Sequence, residues 1–332
     1  MSELRRQVDV AGAITTIDYH TAGEPFRIVT GGVEALRGAT VLERRRDAAE
    51  RLDHARRLLV NEPRGHADMY GCHVVPPNDA GADLGVVFFH NAGYSTACGH
   101  GTIALVTWAL DEGIVERCEG ENNVIVDVPS GRLETVAVVR NGRVESVTFR
   151  NVPSFVWASG LPVGDRVVDV AFGGAFYASL PEKVEPAELP RLIELGREIK
   201  RRLEAEHEIV HPLEAELRDV YGVIFWQDEG RSPLTQRNVA VFADGEVDRS
   251  PCGSGTSARL ALLDAHGTLP RGDDLRHLSI IGSSFVGRVV GETDVAGRAA
   301  VITEVTGRAH RTGTATFELD PDDVLGDGFL LR

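Results

Sequence analysis

One seven-residue motif occurs twice in this chain, half a chain apart: Cys98-Gly99-His100-Gly101-Thr102-Ile103-Ala104 and Cys252-Gly253-Ser254-Gly255-Thr256-Ser257-Ala258. Both read C-G-x-G-T-x-A. Strand-like sequence precedes each copy, VVFFH before the first and VAVF before the second. A helical stretch ending near a glycine follows each, Ala104 to Gly113 and Ala258 to Gly267. A single short motif constrains little. Two copies in the same local context predict a duplicated αβ unit, and so a fold of two related halves.

The rest of the chain is compatible with that division. Its 332 residues suit about two domains. Strand-like runs rich in β-branched residues are expected at Ala13–Tyr19, Phe26–Val29, Val86–His90, Val124–Val128, Glu134–Val139 and Val144–Arg150. In the second half they are expected at Gly222–Trp226, Asn238–Phe242, Leu278–Ile281, Gly287–Val290, Ala299–Val305 and Thr314–Leu319. Val41–Leu59 and Pro190–Glu208 carry apolar residues at helical spacing with charged outer faces. Pro190 suits a first helical position, where no N–H is needed.

Net charge is −15, which argues against nucleic-acid partners and anionic membrane surfaces, since both need clustered Lys and Arg. The opening MSELRRQVDVAG lacks a signal-peptide apolar region, and no run approaches the roughly 18 apolar residues of a membrane span. A soluble, cytoplasmic protein is expected. Four cysteines in so long a chain are not a disulfide scaffold. Cys72 and Cys118 lack a glycine-rich helix entry and are expected in the core.

In each motif the cysteine sits where a loop enters a helix. The glycines permit a sharp turn and close approach of a ligand to the backbone, and Thr102 and Thr256 are suited to cap or begin the helix. A helix start exposes unpaired N–H groups and a partial positive charge. Two expectations follow. The thiol there should ionise more readily than usual, and the N–H groups can hold a carboxylate without any basic patch. Set face to face, two such helix starts would hold a carboxylate from both sides and place one sulfur on each face of its α-carbon. One thiolate then removes the α-proton and the opposite thiol delivers another, with preorganised donors stabilising the carbanion between.

Other readings fit less well. A zinc site through Cys98 and His100 has no counterpart in the second copy, which offers Cys-Gly-Ser. A Cys–His acyl-transfer nucleophile would leave Cys252 unemployed. A phosphate loop would end in Gly-Lys-Ser/Thr, which is absent. No metal and no organic cofactor is expected.

At these residues the chain resembles the proline racemase family. Asp18-Tyr-His-Thr-Ala-Gly-Glu-Pro25, Glu62-Pro-Arg-Gly65, Asn91 to Ile103 and Asp248-Arg-Ser-Pro-Cys-Gly-Ser-Gly-Thr-Ser-Ala258 carry the resemblance along nearly the whole chain. It implies the α+β fold of diaminopimelate epimerase, with two pseudo-symmetric domains, each a curled sheet around a central helix, and the site in the cleft between them. The implied division is an N-terminal domain, 1–150, joined by the C-terminal tail 312–332, and a C-terminal domain, 151–311. Matched by position, Cys98 and Cys252 would be the acid–base thiols. Gly99, His100, Gly253 and Ser254 would hold the substrate carboxylate, and Asp248 the ring nitrogen of proline or a hydroxyproline. No catalytic role is assigned to His20, Glu24, Glu62 or Arg64. The resemblance also suggests a homodimer.

Within the family the signals divide. Gly65-His-Ala-Asp-Met-Tyr-Gly71, His90-Asn-Ala-Gly-Tyr-Ser95 and Asp327-Gly-Phe-Leu-Leu-Arg332 look most like trans-3-hydroxy-L-proline dehydratases. Tyr221-Gly222-Val223 stands where many 4-hydroxyproline epimerases carry His-apolar-Glu. The typical dehydratase, however, has threonine where this chain has Cys252. Two thiols favour racemisation or epimerisation. Dehydration to a pyrroline-2-carboxylate is the alternative, and a non-catalytic binder of small carboxylates a remote third.

Overall fold

The computed structural model describes residues 12–331; the first eleven residues and Arg332, at the outer ends of the expected N-terminal domain and its tail, lie outside the described residues. Among the described residues are five α-helices: α1 (Val41–Arg51), α2 (Asp53–Val60), α3 (Gly99–Asp111), α4 (Leu189–Glu206) and α5 (Gly253–Ala265). None is long and apolar enough to cross a membrane.

Two of these helices are core. The segment GHGTIALVTWAL of α3 carries no charged side chain, and every residue of it is buried. A helix apolar all round belongs inside a protein. The curled sheet supplies its surroundings: α3 packs on Ile14–Thr21, Glu24–Gly31, Arg143–Arg150 and Ala309–Phe317. Helix α5 is buried from Gly253 to Leu263 and packs on Ser154–Val163, Arg166–Phe172, Ser284–Val295 and Arg298–Gly307. Its one buried cation, Arg259, donates to Gln236 Oε1 at 3.0 Å and lies 3.7 Å over the Trp226 ring. Among the described residues, seventeen strands form one continuous hydrogen-bonded sheet around both helices. The last of them, Ala309–Phe317, runs antiparallel to the first, Ile14–Thr21. Strand Arg298–Gly307 joins the halves by pairing with both Arg143–Arg150 and Ser154–Val163.

Several elements differ from the sequence expectation. Val41–Leu59 is two helices, because the chain leaves helical geometry at Leu52 (φ −119°, ψ 17°). Thr40 and Glu43 form a capping box on α1, and Asp53 starts α2 by accepting from Arg56. The strand expected at Leu278–Ile281 is Leu275–Ser279; Ile280 and Ile281 lie in the turn closed by Gly282 N–H on Ser279 C=O, with Gly282 at φ +86°. Strands at Tyr70–Val75, Ser154–Val163, Arg166–Phe172 and Phe176–Pro181 were not expected. Tyr70–Val75 and Phe176–Pro181 are buried on both faces, so neither shows the alternation that marks a half-exposed strand.

Candidate active site

The two motifs meet. A methyl group on Gly99 would lie 2.5 Å from Gly253 Cα, and one on Gly253 would lie 2.6 Å from Gly99 Cα. The starts of α3 and α5 are therefore in backbone contact, and only glycine fits on either side. Gly99→Ala is expected to force backbone against backbone, destabilising the protein by about 1–3 kcal/mol and parting the two helix tips. A fall in the urea midpoint together with loss of turnover would register it; unchanged stability would contradict the contact.

The fourth residue of each motif has a different reason to be glycine. A methyl on Gly101 would lie 2.7 Å from Cys98 Sγ, and one on Gly255 would lie 2.9 Å from Cys252 Sγ. Both sulfurs thus overlie the first turn of their own helix. Cys98 is the N-cap of α3, in extended geometry, and its Sγ accepts from Gly101 N–H at 3.3 Å. Cys252 reaches the corresponding place from φ +62°, a conformation that a non-glycine residue rarely adopts. Such strain persists only where the surroundings enforce it, and it clusters at functional sites. The threonines are not caps. Thr102 Oγ1 donates to Cys98 C=O at 2.9 Å and Thr256 Oγ1 lies 2.8 Å from His277 Nδ1, both inside the first turn.

The expected binding residues gather at this junction. His100 is buried with its ring nitrogens 3.5 and 3.6 Å from Cys98 Sγ and its edge on Tyr70, centroids 5.0 Å apart. Burial pulls its imidazolium down to about 3, so the ring is neutral. Ser254 Oγ lies 2.7 Å from the Tyr177 hydroxyl. Asp248 Oδ1 accepts from Ser250 N–H at 2.7 Å, while Ser250 Oγ accepts from Cys252 N–H at 3.1 Å, which ties the carboxylate to the thiol's loop. Burial pushes Asp248 up to about 6 despite those hydrogen bonds.

The ionisation expected of the thiols is not met. Burial pushes Cys98 well above the ordinary thiol value, and the Gly101 N–H offsets only part of it. Cys252 is likewise raised, first by burial and then by the Asp248 charge. A helix start does favour a thiolate, but here it competes with desolvation of a thiol 5–6% exposed, and desolvation wins. Cys72 is buried as expected; Cys118 is exposed and not a core residue. Cys98 and His100 acquire no third ligand: among the described residues no group of three or more His, Cys, Asp or Glu could hold a metal ion.

Sequence reasoning passed over a set of buried and half-buried tyrosines. Tyr70 and Tyr221, from opposite halves, share a hydroxyl hydrogen bond of 2.9 Å, and Tyr70 also donates to Ser95. The Tyr177 hydroxyl lies 3.6 Å from Cys252 Sγ. A tyrosine therefore stands beside each motif, Tyr70 against His100 and Tyr177 against Cys252. Tyr70 and Tyr221 lay in stretches singled out for other reasons; Tyr177, in an unremarkable apolar run, offered no signal.

Comparison with known proteins gives this geometry a context. A family model described as proline racemase matches residues 16–330. A trans-3-hydroxy-L-proline dehydratase of Bacillus cereus is 46% identical over 97% of this chain and 99% of its own length. A 3-hydroxyproline 2-epimerase of Burkholderia multivorans is 44% identical over 97% of this chain and 99% of its own. The crystal structure of a hydroxyproline epimerase from Agrobacterium vitis, with bound trans-4-hydroxy-L-proline, superposes with a TM-score of 0.90 at 33% identity, covering 97% of this chain and 96% of that one.

Proposed function

Because the chain belongs to the proline racemase family, we propose that it inverts a 3-hydroxyproline at Cα, with Cys98 and Cys252 as the acid–base pair. The enzyme class is isomerase or hydro-lyase. The observation that carries the reading is the contact of two cysteine-tipped helix starts through Gly99 and Gly253.

The first helical hydrogen bonds run from Thr102 N–H to Cys98 C=O and from Thr256 N–H to Cys252 C=O. The N–H groups of Gly99, His100, Gly253 and Ser254 therefore precede the helical ladder and are left to hold the substrate carboxylate from two sides. Asp248 takes the ring ammonium. That pairing also answers the raised thiols. The Asp248 charge works against both thiolates, and a bound ammonium cancels it, so the substrate itself favours formation of its base. One thiolate takes the α-proton, and the freed electron pair spreads into the carboxylate under the N–H donors. The opposite thiol then gives its proton to the other face, and the two sulfurs have exchanged protonation states.

A 3-hydroxyl is preferred to a 4-hydroxyl because the relatives at 44–46% identity bear 3-hydroxyproline names. Dehydration is the second reading, favoured by the Bacillus cereus relative. It uses the same first step, after which the C3–O bond breaks and water leaves, giving a pyrroline-2-carboxylate. The division at residue 150, with the tail returned to the N-terminal domain, belongs to the same proposal; pairing of Ala309–Phe317 with Ile14–Thr21 supports it.

Incubation with trans-3-hydroxy-L-proline, followed by chiral separation and borohydride reduction of any imine, tests the reading. The C2 epimer is the expected product. Imine alone, trapped as proline, would make the enzyme a hydro-lyase, and recovery of unchanged substrate would contradict both.

A further inference from the structure

Glu24 follows the tight turn at Ala22 and Gly23 (φ +53° and +96°) and opens the strand Glu24–Gly31. It is wholly buried, at 0% exposure. Its Oε2 accepts from Arg249 N–H at 2.6 Å, so this hairpin of the first half reaches the loop that holds Asp248 and Cys252. Its other carboxyl oxygen, Oε1, is buried with no hydrogen-bond partner among the described residues. Buried polar atoms in native proteins are nearly always paired, and leaving one unpaired costs about 1–3 kcal/mol. Such an atom points to a missing partner.

The surroundings identify the partner. Phe26 lies two residues on, hence on the same face of the strand. Its ring is edge-on to His100, centroids 5.7 Å apart, at the first turn of α3. Glu24 therefore lies between the Cys98 helix tip and the Asp248 loop, and its charge acts on Cys98 as that of Asp248 acts on Glu24. We propose that Glu24 is a specificity-determining residue of this site, with Oε1 as hydrogen-bond partner of the substrate's ring hydroxyl. The inference rests on the reading above, which commits the amides to the carboxylate and Asp248 to the ammonium. The polar group left over on a 3-hydroxyproline is the hydroxyl, on the carbon next to Cα. Burial and the neighbouring carboxylates of Asp248 and Asp68 hold Glu24 well above the ordinary carboxylate range, against the pull of Arg249. With Oε2 already accepting from Arg249 N–H, Oε1 is the oxygen left to face a hydroxyl, which can either donate or accept.

The test is the ratio of kcat/KM for α-proton exchange in D2O with trans-3-hydroxy-L-proline to that with proline. Glu24→Leu, similar in volume but apolar, is expected to lower the ratio about tenfold or more. Glu24→Gln keeps an acceptor for Arg249 N–H and a donor, and is expected to hold the ratio within about threefold. A ratio unmoved in Glu24→Leu, with both substrates slowed alike, would overturn the proposal and leave Glu24 a structural bridge to Arg249. Should the leucine variant not fold, Glu24→Asp, which withdraws the carboxyl by one methylene, takes its place with the same expectation. Failure of the unmodified enzyme to exchange either substrate would instead sink the thiol-pair reading, and this inference with it.

Discussion

Cys252→Ser is expected to slow interconversion of the two C2 epimers of 3-hydroxyproline by about 10²–10⁴-fold, the usual contribution of a positioned acid or base. Serine fills the same space, can take the same φ of +62° and can keep the contact with the Tyr177 hydroxyl. What it lacks is a proton that leaves under any accessible condition. Inversion needs a competent group on each face, so loss of either sulfur blocks it, and Cys98→Ser should do the same. Cys252→Ser also separates the two reactions. Loss of water needs a base on one face only. Retained imine formation with lost inversion would identify a hydro-lyase; retained inversion would remove Cys252 from the mechanism.

Asp248→Asn is expected to lower kcat/KM and raise stability together. A buried carboxylate facing a buried ammonium is worth about 3–4 kcal/mol to binding, so kcat/KM should fall about 10²–10³-fold. The stability effect has the opposite sign. The folded protein holds Asp248 at about 6 against an ordinary 3.8, so ionising it disfavours the fold. The favourable contribution is present below 3.8 and is lost as pH rises through about 6. Two units correspond to about 3 kcal/mol. Asparagine keeps an acceptor for Ser250 N–H and carries no charge, so at pH 8 the variant should melt higher than the parent. Its stability should also lack the parent's decline between pH 4 and 6. In the parent, KM should rise as pH falls through about 6 and the carboxylate is protonated. A variant both inactive and less stable at pH 8 would place Asp248 in the framework instead of the binding site.

The sequence made the site legible because its central device is local. A cysteine, a glycine to admit a facing backbone and a glycine to seat the sulfur are three adjacent requirements, and they occur twice. The helices α3 and α5 could be read for the same reason: each follows its motif directly and ends near a glycine. What escaped depended on the third dimension. Whether a helix start lowers a thiol's pKa depends on how much water reaches it, and burial of Cys98 and Cys252 reverses the local expectation. Tyr177 becomes a neighbour of Cys252 only through a strand with no alternation to announce it. Ile280 and Ile281 carry strand-like side chains, yet Gly282 turns the backbone there. Glu24 stood in a matched motif, but its unpaired oxygen is visible only once the Arg249 loop closes over it.

The most direct measurement of the two-thiol account is deuterium uptake at Cα in D2O, followed separately for each epimer of 3-hydroxyproline in the two serine variants. With sulfurs on opposite faces, Cys98→Ser should exchange one epimer without inverting it, and Cys252→Ser only the other. Exchange of the same epimer by both variants, or of both epimers by either, would mean that the sulfurs do not divide the faces between them.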